Sequence, residues 1–164
     1  MLFGKPKRIV NRILIVEDEP LTAFDNETMI EEAGYTVVAT HDRVSDAVMT
    51  LTREKVDLIL SDVRLTGKRS GIDLARIAKE KNVPVLLSTG MVPDEAAGLV
   101  VGCLMKPYSQ KTLKAALEAV DQHLRGDTVH APKGLIIYPE AGTCSIPRPS
   151  SEKISALRRS PSRG

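Results

Sequence analysis

Short aliphatic runs and segments of helical period take turns along most of the chain. Residues 13–16, 37–39, 58–60 and 85–87 are continuous apolar runs without polar alternation, which suits strands buried on both faces of a parallel sheet. A weaker run at 100–105 is a fifth candidate. Between the runs, Val44, Ala47, Val48 and Leu51 recur at the i, i+3, i+4, i+7 spacing of one helix face. Leu113, Ala116, Leu117 and Val120 do the same, and their stripe continues to Leu124. The segment 20–33 opens with Pro20, suited to a first helical position, and stops before Gly34, although its apolar stripe is broad. Residues 71–82 are similar and are stopped by Pro84.

Lys106 lies only 17 positions after Thr89, and the 16 residues between them must hold a loop, a helix, another loop and a strand. A helix of average length, about 11 residues, barely fits. A short fourth helix of one or two turns around 94–99 is therefore expected. Strand and helix repeated five times predict an α/β doubly wound domain with a five-stranded parallel sheet over residues 11–125. Residues 1–10 are a basic N-terminal extension. Residues 126–164 form a tail holding half of the chain's 10 prolines, and its Pro-, Ser- and Arg-rich part, 147–164, is expected to be disordered. A short extended piece at 135–138 fits the pattern as well.

Composition changes this picture little. The 164 residues give one ordinary domain with some excess, and with 42% apolar residues and no Trp the core must be aliphatic. The net charge of +2 is unevenly spread: residues 1–12 carry +4, 126–164 carry +3, and the body between them −5. Cys103 and Cys144 stand far apart with no neighbouring His or Cys at metal spacing, so neither zinc nor a disulfide framework is indicated. Reduced thiols, the lack of an apolar leader and the lack of a membrane-length run fit a cytoplasmic protein.

In open α/β sheets ligands bind outside the carboxyl ends of the strands. Glu17, Asp18 and Glu19 follow the first strand, Asp62 the third, Thr89 the fourth and Lys106 the fifth. Clustered carboxylates repel one another and need a cation, and hard oxygen ligands that leave room for water suit Mg²⁺. A carboxylate beside that metal can attack phosphorus, with a lysine neutralising charge on the transferring oxygens and a hydroxyl donating to one of them. Each residue alone has an ordinary explanation. The acids favour a helix N-terminus, Asp62 begins a loop, Thr89 is a turn hydroxyl before Gly90 and Lys106 is a surface charge. Together those explanations require four coincidences.

The motifs resemble the receiver domains of two-component and phosphorelay response regulators. Residues 13–20 (ILIVEDEP) look like the acidic-pair strand, 57–62 (DLILSD) like the phosphoacceptor strand, 84–90 (PVLLSTG) like the hydroxyl-bearing strand, and Lys106-Pro107-Tyr108 completes the set. The resemblance covers residues 11–125 and implies a flavodoxin-like fold. It implies that Asp62 accepts a phosphoryl group from a sensor histidine kinase or phosphotransfer protein, with Thr89 and Lys106 contacting that group. Glu17, Asp18, Asp62 and the backbone carbonyl of Arg64 would hold Mg²⁺, and the Lys106–Pro107 bond would be cis. The output implied is a changed affinity for a downstream protein whose identity the sequence does not give. A stand-alone switch is expected, and not a turnover enzyme.

Some positions depart from the pattern. Glu17 replaces the commoner Asp, Thr66 stands where many receivers have Pro, and one extra residue precedes Gly71. Arg64, Lys68 and Arg69 make that loop basic. Cys103 occupies the place of an aromatic residue that turns inward on phosphorylation in many receivers, which puts the usual output coupling in doubt and favours core packing for the thiol. With Thr89-Gly90 and the short fourth helix, this looks like an alphaproteobacterial receiver subgroup linked to stress signalling.

Competing readings make distinct demands. A haloacid dehalogenase-type phosphatase needs a second Asp two positions after the nucleophile, where this chain has Arg64. A receiver-like scaffold independent of phosphorylation has no need of the retained acids, Thr89 and Lys106. Direct DNA binding is disfavoured, because a Pro-rich tail of 39 residues cannot build a helix-turn-helix domain with its own core.

Overall fold

A computed structural model describes residues 6–139; the segment 147–164, expected to be disordered, lies outside the described residues, as does Cys144. The apolar runs become β1 (Arg12–Val16), β2 (Thr36–His41), β3 (Leu58–Asp62), β4 (Val85–Thr89) and β5 (Gly102–Met105). They are mutually parallel and ordered β2-β1-β3-β4-β5. The order reverses at β1, so the crevice between β1 and β3 at their carboxyl ends is the switch point where such sheets bind ligands.

Helices α1 (Pro20–Glu32), α2 (Val44–Arg53), α3 (Gly71–Glu80) and α4 (Gln110–Arg125) cover both faces. Strand alternation divides the core in two. Ile13, Ile15, Leu58, Leu60, Leu86 and Leu104 meet α1 and α4, whereas Leu14, Val16, Ile59, Val85, Leu87 and Cys103 meet α2 and α3. Local chemistry sets the helix ends. Pro20 opens α1, Ser70 and Asp73 form a reciprocal capping box on α3, and Ser109 caps α4, which ends at Gly126 with φ 79°.

Three features refine the sequence pattern. The expected short helix around 94–99 is a single 3-10 turn, Asp94–Ala96, set between Pro93 and Gly98, whose φ is +81°. It suffices to bury Ala96 against the sheet. The extended piece expected at 135–138 is a strand, β6 (Leu135–Ile137), antiparallel to β5, so the sheet has six strands where five were expected and draws on residues beyond 125. Gly102 permits this, because a Cβ there would stand 2.3 Å from the Ile136 carbonyl oxygen. At the other end, the backbone N–H groups of Ile9 and Val10 both donate to Asp121 Oδ1 at 2.8 Å, and Val10 is buried. The part of the basic extension next to β1 is thus seated on α4.

Candidate functional site

The carboxyl ends of β1 and β3 lie side by side, and the side chains that leave them converge. Glu17, Asp18 and Asp62 each present a carboxylate oxygen within 4.8 Å of the other two. Lys106, from the end of β5, crosses over β4 to reach them: its Nζ lies 3.2 Å from Glu17 Oε2 and 3.3 Å from Asp62 Oδ2. The Lys106–Pro107 bond is cis. Four of the residues singled out by sequence therefore meet in one place.

Burial differs sharply among them. Glu17 is 3% exposed, Asp62 and Lys106 are half-buried, and Asp18 faces solvent. Glu17 Oε1 accepts the Glu19 N–H at 3.1 Å, and Asp62 Oδ1 accepts the Val63 N–H at 2.7 Å. Burial pushes the Glu17 carboxyl above its usual range, and the Asp62 charge adds to the rise, while the Glu19 N–H and Lys106 oppose it. Burial would lower the Lys106 ammonium, but Glu17 and Asp62 outweigh burial and raise it. Lys106 is accordingly a cation at neutral pH.

The remaining predicted residues sit nearby without joining the cluster. The buried Thr89 hydroxyl is turned into its own loop, donating to the Met91 carbonyl at 2.7 Å and accepting the Met91 N–H at 3.1 Å. Arg64 stands two residues beyond Asp62 in the exposed β3–α3 loop, where Lys68 and Arg69 are exposed too. Thr66, in the same loop, reaches Asp18 Oδ2 at 3.4 Å. Cys103 is fully buried, its thiol raised by burial and 3.8 Å from the Tyr138 hydroxyl at the end of β6.

The sequence reading missed Gly71. Its backbone N–H donates to the Val63 carbonyl at 2.8 Å, and a Cβ there would stand 2.1 Å from the Asp62 carbonyl oxygen. The only signal was a glycine opening a helix. As a donor set, three hard carboxylates beside one ammonium fit a small divalent cation such as Mg²⁺ that keeps several waters. Among the described residues, no helix is long and apolar enough to cross a membrane.

Comparison with known proteins gives a consistent result. The family described as response regulator receiver domain matches residues 13–118. The chain is 31% identical over 123 residues to the transcriptional regulatory protein PdtaR of Mycobacterium tuberculosis, an alignment covering 71% of this chain and 60% of PdtaR. Among solved structures it is similar to the anti-anti-sigma factor PhyR from Bartonella quintana, with 29% identity and TM-score 0.59 over 73% of this chain and 50% of PhyR. It is also similar to the signal receiver domain of a modulated diguanylate cyclase from Desulfovibrio desulfuricans, with 27% identity and TM-score 0.63 over 71% of this chain and 97% of that domain. The chain thus spans about half to three-fifths of PhyR and PdtaR.

Proposed function

This chain belongs to the response regulator receiver-domain family, and from that premise we propose that it is a switch set by phosphorylation of Asp62. Receiver domains are in general phosphoacceptors and not turnover enzymes, they interact with kinases or phosphotransfer proteins, and they typically bind Mg²⁺ through an acidic group. The observation that carries the proposal is the meeting of the Glu17, Asp18 and Asp62 carboxylates with Lys106 at the switch point of the sheet.

In this reading a carboxylate oxygen of Asp62 attacks phosphorus on a phosphohistidine of the donor. A P–O bond to Asp62 forms as the P–N bond breaks, and the leaving imidazole nitrogen keeps the electron pair. Glu17, Asp18, Asp62 and the Arg64 carbonyl would hold Mg²⁺, whose charge would offset that of the transferring oxygens. Lys106, already held between Glu17 and Asp62, contributes a fixed positive charge to the same oxygens. Thr89 gives up its bonds to Met91 and donates to a phosphoryl oxygen. That exchange moves the loop carrying Met91, an apolar side chain that is 80% exposed, and so shifts a two-state surface read by a protein partner.

The readout differs from receivers that use an inward-turning aromatic, because Cys103 is a small side chain fully buried in the half of the core lined by α2 and α3. A protein partner within a stress-signalling pathway suits the similarity to PhyR, described in one structure as an anti-anti-sigma factor and in another as a stress response regulator. The phosphatase alternative lacks its second Asp, the position being Arg64. Incubation with acetyl phosphate should label the protein in a Mg²⁺-dependent way, and Asp62→Asn should abolish the label. Equal labelling of both proteins would sink the proposal. The same treatment should alter capture of a partner, and a partner indifferent to it would favour a scaffold.

A further inference from the structure

Beneath the carboxylates, three polar side chains meet that the proposed chemistry does not use. The Tyr108 hydroxyl donates to Asn26 Oδ1 at 2.8 Å and lies 3.1 Å from Ser88 Oγ. Asn26, on α1, is 2% exposed, and Ser88, on β4, is 1% exposed. The Tyr108 ring packs into the half of the core lined by α1 and α4, and alternation from Leu86 directs Ser88 to that same half. Ser88 is also the register partner of Asp62. The cluster joins α1, β4 and the β5–α4 connection directly under the site.

Burying amide and hydroxyl groups costs free energy, and apolar side chains of similar shape would hold these elements together no less well. What the cluster adds is a fixed point beside Lys106. The Lys106 side chain is long and flexible, and it must reach from β5 past β4 to Asp62 and Glu17. Its backbone is held on one side by its N–H, which donates to the Thr89 carbonyl at 2.9 Å. On the other side Pro107 is exposed and has no N–H to give, and the next residue is Tyr108, with its hydroxyl engaged by two other elements.

We propose that Tyr108 is a positioning residue for phosphoryl acceptance: its hydroxyl, held by Asn26 and Ser88, fixes the stretch of backbone from which Lys106 reaches the carboxylates. Tyr108 acts through Lys106 and touches no reacting atom. The inference rests on the reading of Asp62 as acceptor.

The test measures initial rates of labelling of the full chain while acetyl phosphate and Mg²⁺ are varied, with rates expressed per folded molecule from circular dichroism. Tyr108→Phe removes one oxygen and keeps the ring. Asn26→Leu removes the acceptor and leaves Tyr108 in place. Each should lower the maximal rate about three- to tenfold, the worth of one hydrogen bond. The half-saturating Mg²⁺ concentration should stay unchanged, because Glu17, Asp18 and Asp62 are intact. Adding Tyr108→Phe to Lys106→Ala should cause no further loss. A wild-type maximal rate in Tyr108→Phe would overturn the inference. So would a Tyr108→Phe loss that persists undiminished in the Lys106→Ala background. Failure of the wild-type protein itself to label would overturn the Asp62 reading along with it, so the two failures are told apart by the parent protein alone.

Discussion

Asp62 is held by its backbone as firmly as by its partners. Gly71, the first residue of α3, passes so close to the Asp62 carbonyl that a Cβ would stand 2.1 Å away, and the obstructing atom belongs to backbone. Gly71→Ala must push α3 away from β3, which should cost on the order of 1–3 kcal/mol, as overpacking does. The displacement acts on Asp62 itself, so urea denaturation should show a lower midpoint and acetyl phosphate labelling of the folded protein should slow. A variant with wild-type values for both would show that the contact relaxes freely. The acids, Thr89 and Lys106 were legible in the sequence because each follows an aliphatic run, and the topology of parallel sheets carries every such position to one edge. Gly71 and the Asn26–Tyr108 pair were not. Their meaning depends on which backbones and side chains approach through space, and Asn26 and Tyr108 stand 82 positions apart.

At the level of elements, the parallel strands could be read from the pattern of apolar runs: β1, β3 and β4 are buried on both faces, whereas β2, at the edge of the sheet, is only partly buried although its run suggested a buried strand. The stretch between β4 and β5 was too short for an ordinary helix, and Pro93 and Gly98 confine it to one 3-10 turn. β6 was the least legible strand. Its three residues follow a proline-containing stretch, and they become a strand because Gly102 lets the Ile136 carbonyl approach β5. The sequence pattern suggests that removing 127–164 should leave phosphoryl acceptance intact; the structure separates two truncations. A chain ending at residue 139 keeps β6, with Leu135 buried and Tyr138 N–H bonded to the Val101 carbonyl. A chain ending at 126 loses both and opens the edge of β5, the strand that leads to Lys106. The first should match the full chain in urea midpoint. The second should lose about 2–3 kcal/mol, roughly the burial of one large aliphatic side chain with its flanking hydrogen bonds. Equal midpoints for both would mean that β6 adds nothing to the domain.

Across the whole molecule, charge is unevenly spread, and the site gathers like charges. The body that carries the fold is acidic, and its densest group is three carboxylates within 4.8 Å, facing one ammonium. Glu17 is the most costly of them, because burial already disfavours its charge. Two neighbouring strands at the switch point hold these groups together, and the unfolded chain separates them, so a cation that gathers them binds the folded state alone. Mg²⁺ should therefore raise stability by mass action, by about 2.7 kcal/mol when its concentration is a hundred times its dissociation constant. The urea midpoint of the wild-type protein should climb with added MgCl₂ at fixed ionic strength. In the double variant Glu17→Gln, Asp18→Asn the midpoint should not respond, since one carboxylate beside Lys106 gives a divalent ion too few ligands. Its metal-free midpoint should stay close to wild type, because Lys106 keeps Asp62 as a partner. If NaCl at matched ionic strength reproduced the climb, or the double variant retained it, the effect would be general screening and the carboxylates would not be acting as a metal site.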